Sequence, residues 1–413
     1  MSNTLTDHHI DVERIRKEFQ VLDQEVNGKP LIYFDNAATN QKPQRVIDAL
    51  VHHYQNDNAN IHRGIHTLAE RSTAKFEETR KAVQEFIGAN EAEEIIFTKG
   101  TSESINLVAS SWGRKFLNQG DEVLISAMEH HSNIVPWQMI CEERGAILKV
   151  MPINEAGEII LEEVEQLLTE KAKMVAFNHA SNTLGTINPV KKITKMAHAV
   201  GAKVLIDGAQ STSHLEVNVK DLNVDFFAFS AHKMYGPTGL GVLYGKRGIL
   251  EKIPPYQGGG EMIKDVSFGG TTYNDIPYKF EAGTPDIANV IALKKAIEFI
   301  DELGKENISA YEEELLSYAT EQLSAIEGLR IIGTAQEKVS VVSFEVEGIH
   351  HFDLGMWLDA KGIAVRTGHH CTQPLMDHYC IEGTARASFA VYNTKSEIDT
   401  FVSALKDIIT KFK

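Results

Sequence analysis

Three cysteines in 413 residues, Cys141, Cys371 and Cys380, are too few and too odd in number to build a disulfide framework. They point to a reducing compartment, and a cytoplasmic location is expected. An excess of positive charge is also missing: 41 lysines and arginines stand against 57 acidic residues, for a formal net charge of -16. A nucleic-acid partner would need a basic face that this balance disfavours. No uninterrupted apolar run approaches the roughly 20 residues a membrane helix needs, and the opening MSNTLTDHHIDVERIRKEF holds no apolar stretch of the signal-peptide kind. Neither membrane insertion nor export is expected. Internal repeats and low-complexity tracts are lacking as well.

What remains is a chain of 43% hydrophobic and 24% charged residues, long enough for two cores, because one core stops growing at about 250–300 residues. Ile10, Ile15, Phe19 and Leu22 recur at near-helical spacing, so a helix is expected over residues 10–22. LIYF (31–34) reads as a short strand. Further strands are read at EIIFT (94–98), EVLIS (122–126), MVAFN (174–178), KVLID (203–207), DFFAFS (225–230) and GVLYG (241–245), with amphipathic segments between most of them. That alternation predicts a mainly parallel sheet covered by helices. GVLYG follows DFFAFS too closely for a helical crossover and should run antiparallel. Residues 252–285, rich in glycine and proline, read as a long functional loop. A helix near 286–303 leads to a second α+β unit: a helix at 307–326, strands at RIIG and VSVVSFEV, a helix at HFDLGMWLDAKG, a strand at IAVR and a closing helix at 395–411.

Ligands of parallel sheets sit at the carboxyl ends of the strands. Reading those ends together yields Lys99-Gly100-Thr101-Ser102, then Glu129-His130-His131, then Asn182, Asp207 with Gln210, and finally Ser230, His232 and Lys233. Each alone has an ordinary explanation, since Thr101 and Asp207 are also residue types that cap helices and His130 suits a structural role. Together they supply a phosphate cradle, a carboxylate, a histidine and a lysine. These are the parts that hold pyridoxal phosphate, whose aldehyde needs an amine and whose ring nitrogen needs an acid partner.

DGAQSTSHLEVNV, DFFAFSAHKMYGPTGLGVLYG and RTGHHC resemble the corresponding motifs of the class V aminotransferase family, and among its members the group II (SufS-type) cysteine desulfurases. The resemblance extends from YFDNAAT (33–39) through HRGIHTLAERST (62–73), GTSESINLVA, EHHSNIVPWQ, NTLGTINPV and FEAGTPD to RASFAVYNT (386–394). It implies an α/β protein of aminotransferase fold type I. A mainly parallel seven-stranded sheet would occupy a large pyridoxal-phosphate domain (31–295), an arm (1–30) would pack with the small domain, and a small α+β domain (296–413) would carry the nucleophilic cysteine. Residue by residue, it makes Lys233 the lysine that condenses with pyridoxal 5'-phosphate. Asp207 becomes the partner of the ring nitrogen, His130 stacks on the ring, and Gln210 and Asn182 lie near its phenolic oxygen. Thr101, Ser102, Ser230 and His232 hold the phosphate, joined by Thr284 from the other subunit of a homodimer. Arg386, Asn182 and His62 bind the substrate, with Arg386 on its carboxylate.

Cys371 decides which reaction follows. A zinc site made with His369, His370, His378 and Cys380 is the competing explanation, but adjacent ligands in HHC and HYC do not follow common zinc spacings. No metal is expected, and Cys371 is read as a nucleophile. The resemblance then implies conversion of L-cysteine to L-alanine with a persulfide on Cys371, for supply to iron-sulfur cluster assembly through an acceptor protein of the SufE or SufU type. L-selenocysteine is a further substrate it implies. The alternative is another class V enzyme, such as an aminotransferase or a kynureninase-like hydrolase. Thr372 departs from the small residue expected after the cysteine, and its branched side chain raises the question of access to the sulfur.

Overall fold

Residues 10–412 are described by a computed structural model; the part of the expected arm in residues 1–9 lies outside the described residues. The larger sheet has seven strands in the order Ile95–Thr98, Gly241–Gly245, Phe226–Ser230, Lys203–Asp207, Ala172–Asn178, Glu122–Ser126, Ile147–Met151. All run parallel except Gly241–Gly245, which is antiparallel to both neighbours. Glu122–Ser126, Phe226–Ser230 and Gly241–Gly245 are buried along their whole length, which is why they read as unbroken apolar runs. Ile147–Met151 escapes such a reading. It is an edge strand whose Ile147 and Val150 remain exposed and whose apolar run is broken by Lys149.

LIYF forms a strand at Ile32–Tyr33, but outside this sheet: it pairs in parallel with Ile363–Ala364. IAVR is likewise divided, because Ile363–Ala364 takes that partner while Arg366–Gly368 joins Thr384–Ser388. The second sheet is antiparallel, ordered Leu329–Ile332, Val341–Val346, Thr384–Ser388, Arg366–Gly368. Helices Lys305–Ser324, His351–Asp359 and Lys395–Phe412 pack with it. Residues 252–285 are more structured than a loop: Ile263–Ser267 and Gly270–Tyr273 form an antiparallel hairpin. Its strands are mostly exposed and Phe268 at the tip is fully so, and a hairpin with no sheet beneath it leaves no buried alternation in the sequence to find. Among the described residues, no helix is long and apolar enough to cross a membrane.

The helix expected over 10–22 is shorter, Val12–Arg16 followed by a single 3-10 turn at Gln20–Leu22. Its apolar residues still do what their spacing indicated, since Ile10, Ile15, Phe19 and Leu22 all enter the larger core. Phe19 is fully buried, with ring centroids 4.6 Å from Tyr392, 5.7 Å from Phe299 and 6.2 Å from Tyr235. It therefore joins the chain's beginning, the segment beside Lys233 and the approach to the closing helix. Phe19→Ala should lower stability by about 3–5 kcal/mol through the cavity it leaves, read as a fall in the urea midpoint; an unchanged midpoint would show that the arm contributes no packing.

Candidate active site

Because six of the seven strands are parallel, Thr98, Ser126, Asn178, Asp207 and Ser230 end at one edge of the sheet. A cavity of about 420 Å³ opens there, within the usual size range of ligand sites. Its wall includes Thr101, Ser102, His130, Asn182, Asp207, Gln210, Ser230, His232, Lys233, Cys371 and Arg386. Two expected site residues lie elsewhere in the single chain. Thr284 borders a separate cavity with Lys99 and Gln257, and His62 is hydrogen-bonded to Glu77 at 2.9 Å and packed edge-on against Tyr278.

At one end of the cavity, Gly100 caps the helix Thr101–Val108. The Thr101 N–H donates to Ser230 Oγ at 2.8 Å, the two hydroxyls lie 2.7 Å apart, and the Ser102 and Ser132 hydroxyls meet at 2.6 Å. A Cβ on Gly241 would fall 2.3 Å from Gly100 Cα, so the antiparallel strand reaches this cap only because residue 241 is glycine. Clustered hydroxyls at a helix start form a cradle suited to phosphate.

At the other end, Asp207 is buried and accepts a hydrogen bond from Ala209 N–H at 2.9 Å. Burial raises its pKa, opposed by that hydrogen bond and by the Lys233 charge. Burial also lowers the Lys233 pKa to about 8, and the Asp207 charge works in the opposite direction. His130 is held neutral, its pKa lowered to about 3 chiefly by burial and then by Lys233. Its Nδ1 accepts from Ser132 N–H at 3.1 Å, which leaves the proton on Nε2. Gln210 is turned by its donation to the Ala37 carbonyl at 2.7 Å. A carboxylate, a low-pKa amine, a neutral imidazole and a hydroxyl cradle around one cavity fit the ring, aldehyde and phosphate of pyridoxal phosphate.

Cys371 enters from the second sheet and is exposed. His370 and Cys371 both have positive φ, 51° and 58°, a conformation that costs non-glycine residues about 1–3 kcal/mol each unless neighbours impose it. They do so here. Asn182 Nδ2 donates to the His370 carbonyl at 2.8 Å, His131 N–H donates to the Cys371 carbonyl at 2.7 Å, and His370 Nε2 meets the Thr384 hydroxyl at 2.8 Å. Thr372 does not obstruct the sulfur. Its side chain is fully buried outside the wall of the cavity that Cys371 lines, donating to the His369 carbonyl and paired with the Thr183 hydroxyl, both at 2.8 Å. Of the other thiols, Cys141 is buried and pushed up to about 11 by that burial rather than by its glutamate neighbours. Cys380 is exposed.

The strand-end reading passed over several residues of this wall. Asp35 lies within hydrogen-bond reach of both Arg366, at 3.3 Å, and Arg386, at 3.2 Å. The carbonyl of His232 accepts from Asn40 N–H at 3.1 Å, from the Thr39 hydroxyl at 3.0 Å and from Lys42 Nζ at 3.0 Å, which fixes the peptide leading into Lys233. YFDNAAT and the NQKP after it contain these residues, yet nothing local to that segment shows what they would touch.

The chain matches the family model for aminotransferase class-V over residues 32–401. It is 54% identical to a probable cysteine desulfurase of Mycolicibacterium paratuberculosis, covering 96% of this chain but 58% of that longer protein. It is 51% identical to a probable cysteine desulfurase of Halalkalibacterium halodurans, covering 96% of this chain and 98% of the relative. Among solved structures, the apo cysteine desulfurase of Thermococcus onnurineus NA1 superposes with a TM-score of 0.92 at 40% identity, covering 97% of this chain and 98% of that one. The chain thus belongs to the class-V aminotransferases, enzymes that use pyridoxal 5'-phosphate, and within them to the cysteine desulfurases.

Proposed function

We propose that this chain converts L-cysteine to L-alanine and collects the sulfur as a persulfide on Cys371. The observation that carries the reading is that an exposed thiol, held in a loop of imposed geometry, shares one cavity with Lys233 and Asp207. In this reading Lys233 holds the cofactor aldehyde, Asp207 keeps the ring nitrogen protonated and His130 lies on the ring. Gln210 and Asn182 stand near its phenolic oxygen, while Thr101, Ser102, Ser230 and His232 hold the phosphate. The bound cofactor supplies an electron sink that labilises bonds at the substrate's Cα and, through it, the C–S bond. Arg386 orients the substrate carboxylate. Lys233, whose pKa burial lowers to about 8 so that it gives up its proton more readily than an ordinary lysine, moves the Cα proton, and His130 holds a second proton at Nε2. The Cys371 thiolate attacks the substrate sulfur. An S–S bond forms as C–S breaks, the electron pair leaves with Cβ, and protonation of Cβ together with return of a proton to Cα gives L-alanine.

The finer assignments rest on the group II resemblance and on supporting features of this chain. A persulfide in a short, well-tethered loop needs an acceptor protein that comes to it, of the SufE or SufU type, with iron-sulfur cluster assembly as the destination in the cytoplasm. L-selenocysteine offers the same bond to break. A homodimer accounts for the exposed hairpin at Ile263–Tyr273 and for Thr284, which would reach the partner's phosphate site while His62 serves the substrate. Sedimentation should then return two chains, with Phe268→Asp weakening the association; a fully active monomer contradicts the assignment.

In peptides analysed after L-cysteine and before any reductant, the extra sulfur should lie on Cys371. Cys371→Ser should retain the absorbance of bound cofactor while alanine production falls by at least about 100-fold. Sulfur found chiefly on Cys141 or Cys380, or wild-type turnover in the variant, overturns the mechanism. The pH dependence has a definite sign, because an amine adds to an aldehyde only when neutral. Uptake of pyridoxal phosphate by cofactor-free protein should accelerate as pH rises through about 8. Asp207→Asn removes the charge that holds the Lys233 pKa up, so the rise should move to lower pH; an unmoved profile counts against the coupling.

A further inference from the structure

Arg366 and Arg386 are directly opposite one another across two antiparallel strands, so their side chains project from the same face at close range. Two guanidiniums in that relation require an anion between them. Asp35 is that anion, supplied from the far end of the chain and fixed beside them by a bridge to Ser388. Its Oδ1 accepts from Arg386 Nη2 at 3.2 Å and its Oδ2 from Arg366 Nη1 at 3.3 Å. Both contacts are longer than the ~2.7–2.9 Å of a strong charge-assisted hydrogen bond.

Arg386 itself is 2% exposed, and its three nitrogens are treated unequally. Nη1 donates to the Asn182 carbonyl at 2.8 Å. Nη2 has only the long contact to Asp35, and Nε is buried with no hydrogen-bond partner. Nε and Nη2 together form the side of a guanidinium that grips a carboxylate with two parallel bonds. That grip is therefore only half used: Nη2 meets one oxygen of a loosely held carboxylate that also lines the cavity, and Nε meets none.

We propose that Asp35 is an internal competitor, a carboxylate that occupies the Arg386 fork and is exchanged there for the α-carboxylate of the amino-acid substrate. The inference rests on the reading of Arg386 as the carboxylate site. In the exchange the substrate takes Nε and Nη2, Asp35 withdraws to Arg366, and the cluster of two cations and one anion becomes neutral. Asp35 thus sets substrate affinity by competition and keeps the guanidinium pair aligned between turnovers. Its removal has an effect opposite in sign to the loss of a mere structural support, which would raise KM and lower kcat together.

The test uses holoenzyme, with KM for L-cysteine from turnover and the dissociation constant of L-alanine from the change in cofactor absorbance. In Asp35→Asn both constants should fall together, by about threefold to tenfold. Asp35→Glu, with reach enough to engage the fork by both oxygens, should raise both. Cysteamine, which has no carboxylate, should bind all three proteins alike. Constants that stay unchanged or rise in Asp35→Asn with its cofactor bound overturn the proposal, as do unchanged constants in Asp35→Glu if the asparagine variant does not fold. Arg386→Gln separates the two levels: if it fails to weaken L-alanine relative to cysteamine, the carboxylate site itself is misassigned, whereas normal weakening with unaltered Asp35 variants sinks the competitor alone.

Discussion

The site depends on keeping Asp207 and Lys233, opposite charges, in one poorly hydrated cavity at the edge of a buried sheet. Burial by itself would favour a neutral acid and a neutral amine, and each charge opposes that effect on the other. Neither residue could be replaced by an apolar one without leaving its partner as an uncompensated buried charge. The backbone that holds them is correspondingly tight. Gly208 N–H donates to the Ala228 carbonyl at 2.7 Å, and a Cβ on Gly208 would fall 2.0 Å from the Phe227 ring. The strands ending in Asp207 and Ser230 therefore lie as close as the chain allows.

A second constraint is that the cavity is walled by groups from two sheets. The larger sheet supplies the amine, the acid and the hydroxyl cradle; the smaller supplies Arg386, Arg366 and the loop bearing Cys371. Asn182 joins them, since its side chain donates to the His370 carbonyl while its own carbonyl accepts from Arg386. One residue thereby couples the placement of the loop bearing Cys371 to that of the guanidinium. Asp35, just beyond the short strand Ile32–Tyr33, is bridged to Ser388 of the smaller sheet and spans Arg366 and Arg386 there. The strained backbone at His370 and Cys371 survives because these contacts over-determine it.

Much of this was legible without coordinates. Strands buried on both faces appear as apolar runs, and parallel strands gather their carboxyl ends, so Thr101, Ser102, His130, Asn182, Asp207, Gln210, Ser230 and Lys233 could be grouped from position alone. The motifs around them then identified the family. The edge strand Ile147–Met151 and the hairpin Ile263–Tyr273 were not legible, because each leaves much of its surface in water and neither writes a clear burial pattern into the chain.

The sequence by itself determined the alternation of strand and helix, the residues delivered to the strand ends and the identity of the one cysteine in the RTGHHC loop. Tertiary structure alone decided what those residues face. Asp35 meets Arg366 across 331 positions of chain, and Thr372 turns into the protein because its hydroxyl donates to the His369 carbonyl and pairs with the Thr183 hydroxyl. Periodicity records which side of an element is buried, but a salt bridge or a rotamer is chosen by atoms that arrive from elsewhere in the chain, and no local pattern carries their positions.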